Sequence, residues 1–169
     1  MIPHPPETSH LRGHVIVVGL HGIGLRVVEQ LLGIGQQVVV IDDGADDRSV
    51  RQIALWEVGH VVGNAARVEV LEMAGLATAR AVICTERNEL HTLEVALLAR
   101  ELNDGVRVIV RSSNAPVGEA IAGVTGVGTV LSAEALSAPA FTEAVLQQRI
   151  HDFRLSGELF RIIEVEAKQ

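Results

Sequence analysis

The chain of 169 residues carries a net charge of −7, which argues against a nucleic-acid-binding surface or an anionic membrane surface. Hydrophobic residues make up 48% of the chain and aromatic residues only 2%, so the core must consist mainly of Val, Leu, Ile and Ala, as in parallel sheets covered by helices. The single cysteine excludes an internal disulfide and fits a reducing cytoplasm, and no apolar run approaches the roughly 20 residues of a membrane helix.

The start of the chain differs from the rest in composition. Residues 1–12 are rich in proline and lack the apolar core of a signal peptide, so we expect a flexible lead-in there. Strand and helix patterns then alternate over residues 13–150, which we expect to form one domain.

Residues 14–43 contain the most informative pattern. A short apolar run, Val15–Val18, predicts a buried strand, and a glycine-containing turn follows at residues 19–24. An amphipathic helix comes next, and a second apolar run at residues 38–41 ends in Asp42. This order of strand, glycine turn, helix, strand and acid is typical of a dinucleotide-binding βαβ unit.

Each part of this pattern has a chemical role. Gly19 allows a tight turn out of the strand, and Gly24 allows the helix to pack closely on the sheet. The unpaired N–H groups at the helix N-terminus suit a pyrophosphate. Asp42 can accept hydrogen bonds from a ribose diol and would repel a 2′-phosphate, which favours NAD or another nucleotide with a free ribose over NADP. The alternative for Asp42 is a solvated loop acid, which is the interpretation preferred for Asp43.

One position departs from the glycine pattern. In G-x-G-x-x-G register the second glycine is His21, whose Cβ stands where the backbone should approach phosphate. Either the adjacent Gly22 takes over that role or the pocket is altered. An imidazole beside a phosphate would have its charged form favoured, so His21 could sense pH, and the alternative is a partly exposed turn residue.

The remaining patterns continue the alternation. We predict helices at residues 48–58, 66–74, 87–102, after Asn114 and at 132–148, and strands at 60–62, 81–84, 106–110 and 126–131. This alternation implies a Rossmann-like α/β fold, with a doubly wound six-stranded parallel sheet in the order 3-2-1-4-5-6. Cys84 is expected to be a small core residue. Four leucines of one helix are expected in the core or, alternatively, in a dimer interface: Leu90, Leu93, Leu97 and Leu98.

The end of the chain follows a different pattern. Alternating apolar and acidic residues near its end predict one or two extra strands after a turn at Ser156-Gly157, a short C-terminal β extension. Two strands are too few for a domain, so we expect residues 151–169 to be a linker and the start of a following domain. On this hypothesis the chain is a fragment, and a native product of 18 kDa would contradict it.

Several blocks resemble the RCK, or KTN, domains, also called TrkA N-terminal domains, of potassium channels and transporters. HVIVVGLHGIG with VVVIDD is similar to that family's first two strands, VVGNAARVEVLEMAGLATARAVICT to its third strand, short helix and fourth strand, and LEVALLARELNDGVRVIVR to its fourth helix and fifth strand. The likeness covers residues 14–144, and LSAEALSAPAFTEAV resembles actinobacterial members. The family usually has Gly-Asp-Ala where this chain has Gly63-Asn64-Ala65, and often has asparagine at the position of Thr92.

The resemblance implies a cytoplasmic regulatory domain that binds NAD(H) or ATP, ADP or AMP. Such domains form homodimers, often within larger rings, and act on a membrane potassium channel or transporter subunit at the inner face of the plasma membrane. By position, the family's phosphate contacts fall on Gly19, Gly22 and Gly24, with His21 and Ile23 in the same turn. Asp42 would hold the adenosine ribose with Asp43 beside it, Asn64 and Ala65 would border the adenine, Thr85 and Arg87 would lie beside the nucleotide, and Arg111 would reach toward phosphate or the dimer partner.

Alternatives of a different class stay open. The patterns contain no Ser-His-Asp or Cys-His arrangement, which favours a regulatory module over an enzyme. The second hypothesis is the cofactor domain of an NAD-dependent oxidoreductase whose substrate domain follows Gln169. A third is a scaffold used only for dimerisation. For Arg111, the alternative to a functional cation is a surface ion pair of little energetic weight.

Overall fold

The computed structural model describes residues 11–113, 115–125, 129–132, 136–141, 149–155 and 158–164. Six strands alternate with five helices along the first part of the chain. The strands are β1 Val15–Val18, β2 Val38–Asp42, β3 Gly59–Val62, β4 Ala81–Cys84, β5 Arg107–Arg111 and β6 Thr129–Leu131. The helices are α1 Ile23–Gly33, α2 Asp47–Leu55, α3 Val68–Met73, α4 Glu89–Leu102 and α5 Ala115–Thr125, with a 3₁₀ turn at Leu76–Thr78.

The six strands form one parallel sheet in the order β3-β2-β1-β4-β5-β6, which confirms the predicted doubly wound α/β fold. In this register Val18 at the end of β1 pairs with Ile41 of β2 and Cys84 of β4. The carboxyl ends of the three central strands therefore lie side by side. The strand order reverses between β1 and β4, and ligands of open α/β sheets bind at such a reversal.

Helices cover both faces of the sheet, because side chains alternate along each buried strand. Val15 and Val17 of β1 point to one face, where α1 and α2 contribute apolar side chains such as Val28 and Ile53. On the opposite face the core includes side chains of α3, α4 and α5, among them Leu71, Ala96 and Ile121. This two-sided coverage explains why strands β1 and β2 are apolar at nearly every position.

The expected core position is wrong for two leucines of α4, Leu90 and Leu97, whereas the alternative of a dimer interface stays a prediction. Leu90 is 66% exposed and Leu97 is 41% exposed, whereas Leu93 and Leu98 are partly buried against the core. The helix instead buries small or β-branched side chains: Thr92, Val95, Ala96 and Ala99. These side chains allow α4 to lie close to the sheet, which turns the flanking leucines outward.

Helix α2 is shorter than predicted. It ends at Leu55 instead of residue 58, because Glu57 adopts a φ of 56°, which is incompatible with a right-handed helix. Gly59 then begins β3 and does not end the helix. The remaining predicted elements up to residue 125 are present, with ends that shift by a few residues.

The chain divides into two compact units, Met1–Leu131 and Ser132–Gln169. In the second unit residues 136–141 are helical, and β7 (Arg149–Leu155) pairs antiparallel with β8 (Glu158–Glu164). These two strands are the predicted C-terminal extension, while the turn at residues 156–157, the Asn114 cap and most of the helix expected at 132–148 lie outside the described residues. The expected domain boundaries after residues 12 and 150 stay predictions. In the described part of the chain, no helix is both long and apolar enough to cross a membrane.

Candidate functional site

The carboxyl ends of β1, β2 and β4 are joined by hydrogen bonds around Gly19. The Gly19 N–H donates to the carbonyl of Ile41 at the end of β2, at 2.9 Å. The hydroxyl of Thr85, which follows β4 and is 5% exposed, lies 2.9 Å from the Val18 carbonyl and 2.8 Å from the Gly19 carbonyl. These bonds hold the turn between β1 and α1 in one position relative to the sheet.

Two glycines are required by the closeness of this turn to its surroundings. A Cβ at Gly24 would lie 2.0 Å from the Gly19 carbonyl oxygen and 2.8 Å from the Thr85 hydroxyl oxygen. A Cβ at Gly19, whose φ is +92°, would lie 2.7 Å from Cγ of Glu86. Glycine at 24 therefore lets α1 begin close to the end of β1, and glycine at 19 suits the positive φ and the nearby Glu86.

Gly22, and not His21, takes the special backbone conformation in this turn. It is the N-cap of α1 with φ 60° and ψ −105°, a region that side-chain-bearing residues rarely enter, and a Cβ there would face open space. The His21 side chain is 66% exposed. Among the described residues no side chain caps α1, and no acidic residue lies in its first turn, although Gly24 N donates to the His21 carbonyl at 3.2 Å.

Asp42 is a buried acid beside this turn. It is 5% exposed, and its two oxygens accept hydrogen bonds from Leu20 N at 2.6 Å and Gly44 N at 2.8 Å. The Nδ1 atom of His21 lies 3.8 Å from the same carboxylate. Each carboxylate oxygen accepts more than one hydrogen bond, so Asp42 keeps acceptor capacity for a diol.

A cleft of about 600 Å³ adjoins Asp42 between α2 and β3. Asp43, which is exposed, and His60 line it together with Glu57. Burial lowers the pKa of His60, and the nearby Asp42 carboxylate partly opposes this shift. The buried Nε2 of His60 has no hydrogen-bond partner within the described structure.

A chain of three side chains lies across the loops after β3 and β4. His91, on the first turn of α4, contacts the Glu86 carboxylate through Nδ1 in a very short interaction and Asn64 Oδ1 through Nε2 at 2.8 Å. Asn64 Oδ1 also accepts a hydrogen bond from Ala66 N at 2.7 Å. Sequence reasoning did not identify Glu86 and His91, because their connection to Asn64 depends on the packing of α3 beside α4.

The other residues singled out from the sequence are more dispersed. Ala65 is buried behind Asn64, Ile23 is 44% exposed at the start of α1, and Arg87 is exposed after β4. Arg111 ends β5, one strand further from β1 than β4 is. Burial raises the pKa of the Cys84 thiol to about 12, which fits a core residue. Among the described residues no three His, Cys, Asp or Glu side chains form a cluster suited to a metal ion.

Residues 15–133 match the family model of the TrkA-N domain, which covers more than half of the chain. The chain belongs to the TrkA-N domain family. This finding confirms the resemblance drawn from the sequence blocks.

Solved structures agree with this assignment. The TrkA-N domain of the inner membrane protein YbaL from Escherichia coli is 26% identical, with a TM-score of 0.71 over 80% of this chain and 98% of the other. The AMP-bound Kef CTD from Shewanella denitrificans has a TM-score of 0.69 at 20% identity, covering 79% of each chain. The GsuK channel bound to NAD has a TM-score of 0.63 at 21% identity, over 72% of this chain and 22% of that one. At identities of 20% and 21%, the Kef and GsuK structures show that the fold is shared and no more.

One curated relative also matches. It is an uncharacterized protein from Methanothermus fervidus that is 26% identical over 110 residues. The match covers 63% of this chain but only 17% of the relative, which is a much longer protein than this chain.

Proposed function

We propose that this TrkA-N domain is a regulatory module of a potassium transport system that binds NAD(H) or an adenine nucleotide such as ATP, ADP or AMP. The observation that carries the proposal is the uncapped N-terminus of α1 at Gly22, next to the buried carboxylate of Asp42. A helix N-terminus favours phosphate, and an acid at the end of β2 favours a ribose diol. The NAD and ADP complexes of GsuK and the AMP complex of Kef support this ligand class.

Different residues of the site contact different parts of the nucleotide. The diphosphate lies over the turn from Gly19 to Gly24, at the amides of Gly22 and Ile23. The adenosine ribose binds Asp42, and the adenine lies toward the loop after β3, at Asn64 and Ala65. The remaining predicted contacts are peripheral to this path: His21, Asp43, Thr85, Arg87 and Arg111.

The domain acts as part of a dimer or a larger ring, at the cytoplasmic face of a membrane channel or transporter subunit. The names of the structural neighbours, which include a channel and an inner membrane protein, support this role over that of an oxidoreductase. Coupling to a pore requires the nucleotide to bind two dimer arrangements with binding free energies that differ by about 1–3 kcal/mol.

A thermal-shift titration with NAD, NADH, NADP, ATP, ADP and AMP tests the ligand site. A ligand at about 100 times its dissociation constant adds about 2.7 kcal/mol to the free energy of unfolding. We expect a shift from NADH or an adenine nucleotide, a much smaller one from NADP, and loss of the shift in Asp42→Asn. The amide of this variant has one acceptor oxygen and can keep only one of the bonds from Leu20 N and Gly44 N, so the readout is the ligand-induced change and not Tm itself. Asp104→Asn, an exposed aspartate after α4, is the matched control.

Solution scattering with and without each ligand that binds tests the regulatory part. We expect a change in the dimensions of the dimer on binding. Absence of any thermal shift would overturn the ligand site, whereas binding with identical scattering would overturn the coupling alone.

A further inference from the structure

Strand β3 is one edge of the six-stranded sheet, so one side of its backbone has no neighbouring strand in the described part of the chain. Gly63 N donates to the carbonyl of Asp42, which pairs with Val62. Because backbone groups alternate in direction along a strand, those of Val61 and Gly63 point toward β2. The N–H and C=O groups of His60 and Val62 point away from it. These outward groups have no backbone partner among the described residues.

The composition of β3 leaves this edge unprotected. Its four residues, Gly59–Val62, include no proline and no Lys, Arg, Asp or Glu, which are residues that commonly protect an edge from a further strand. The Val62 side chain is 70% exposed. Burial lowers the pKa of His60, so its ring is neutral at neutral pH. Another extended segment could therefore pair with this edge without burying a charge of β3.

The cleft of about 600 Å³ between α2 and β3 runs along the same edge. Its lining includes the apolar side chains of Val50 on α2, Val58 just before β3 and Val62 at the end of β3. Every second side chain of a strand added beside β3 would lie on the face that α2 covers, and therefore in this cleft. A peptide that pairs with an edge strand gains affinity from backbone hydrogen bonds and specificity from pockets for alternate side chains.

Both ends of the cleft are acidic. Glu57, two residues before β3, and Asp43, directly after β2, are exposed and line the cleft. They lie at opposite ends of β3, because the parallel register pairs Asp42 with Val62, the last residue of β3. No Lys or Arg is part of this lining among the described residues. The side chains complementary to the cleft are therefore an apolar one flanked by two basic ones.

We propose that β3 binds an extended peptide segment of a partner protein, which adds a strand to the sheet and carries the pattern basic-x-apolar-x-basic. The apolar side chain enters the cleft between α2 and β3, and the two basic side chains lie beside Glu57 and Asp43. Residues i and i+4 of a strand are about 13 Å apart, which is about the length of a four-residue strand. This interaction needs no nucleotide, so it can stand or fail independently of the proposed function.

The probe is the synthetic peptide Thr-Lys-Thr-Val-Thr-Lys-Thr, acetylated and amidated at its ends, added to nitrogen-15-labelled protein. Amide hydrogen exchange measured by NMR reports each N–H group of β3 separately. We expect the amides of His60 and Val62 to become protected when the peptide binds. Those of Val61 and Gly63, which face β2, should be protected with and without it. Absence of new protection at His60 and Val62 would overturn the proposal.

Analogues of the peptide test its backbone and its charge with the unaltered protein. Only one alternate set of peptide amides can face β3, so N-methylation of that set should abolish binding and N-methylation of the other set should not. Equal effects of the two methylations would contradict an added strand. A peptide with glutamate in place of both lysines should not bind, and equal binding by this peptide would contradict the charge complementarity.

Variants of the protein test the same contacts from the other side. Val62→Pro removes an outward N–H at a position where edge strands tolerate proline, and we expect roughly tenfold weaker peptide binding. Val62→Thr keeps this N–H and the branched shape, and should bind as the wild type does. Glu57→Gln and Asp43→Asn should each weaken binding roughly threefold, because exposed ion pairs contribute little. Asp104→Asn, outside the cleft, is the control, and wild-type affinity of Val62→Pro would overturn the proposal.

A second copy of this chain is the other segment that could pair with β3. In that case the amides of His60 and Val62 would already be protected in concentrated protein without peptide, and would lose this protection on dilution. That result would assign the edge to self-association and overturn the proposal of a partner peptide.

Discussion

Helices α1 and α2 begin on the same side of the sheet, after neighbouring strands, yet their N-termini are treated differently. At α2, Asp46 is the N-cap, and its Oδ1 accepts hydrogen bonds from Arg48 N at 2.9 Å and Ser49 N at 3.0 Å. Asp47 adds a further acid to the first turn. At α1 the N-cap is Gly22, with no side-chain hydrogen bond and no acid in the first turn.

The difference shows where the chain satisfies its own helix end and where it leaves the end to a ligand. An aspartate cap supplies the negative charge that a helix N-terminus favours, and it occupies the amides that an anion would use. The α2 terminus therefore needs no external partner. At the α1 terminus no side chain of the described residues occupies the amides, so it lacks the cap that would have stabilised it.

The largest effect is expected where α1 approaches β1 most closely. In Gly24→Val the new side chain would meet the Gly19 carbonyl, so α1 would have to move away from the sheet. We expect the free energy of unfolding, measured with urea, to fall by about 3 kcal/mol or more. Gly33→Ala, near the end of the same helix, is the control, because a Cβ there has no neighbour within 4 Å. Equal stability of the two variants would contradict the described packing.

A smaller effect is expected when α1 receives the acid that α2 already has. Ile23 is 44% exposed in the first turn of α1, so Ile23→Glu places a carboxylate there without emptying the core. We expect roughly tenfold weaker binding of NADH or ADP, because the carboxylate repels the diphosphate, with little loss of thermal stability. The control is Ile23→Gln, because glutamine has nearly the same shape as glutamate without its charge. Similar weakening of nucleotide binding by both variants would show that the charge is not responsible.

The parallel α/β fold could be predicted because its signals are local. Each strand is a short apolar run, each helix has its own periodicity, and the right-handed connections of parallel strands leave few possible orders. The helix termini were also partly predictable, but the choice between His21 and Gly22 required the backbone dihedral angles. The turn can be recognised from its amino-acid sequence. Which residue of the turn adopts a φ of 60° can be read only from the structure.

Packing distances between elements could not be predicted in the same way. The apolar pattern of α4 contains leucines on several sides, and only the closeness of the helix to the sheet decides that Ala96 is buried and Leu90 is not. The Asn64–His91 bond joins residues 27 positions apart, and it exists because α3 and α4 lie side by side. Periodicity along one helix contains no information about such a neighbour.

The smallest effect is expected at the cap of α2, and it should be confined to stability. Asp46→Ala removes the bonds to the first turn, so Tm should fall by a few degrees at neutral pH, while nucleotide affinity stays unchanged. The hydrogen bond from Ser49 N is the main reason that the pKa of Asp46 lies below 3.8. Because this pKa is depressed by folding, the cap stabilises the protein above about pH 4 and loses its effect as the pH falls through the folded-state value. Differential scanning calorimetry should therefore show the two proteins converging in acid, and a Tm difference that persisted there would mean that Asp46 acts without its charge.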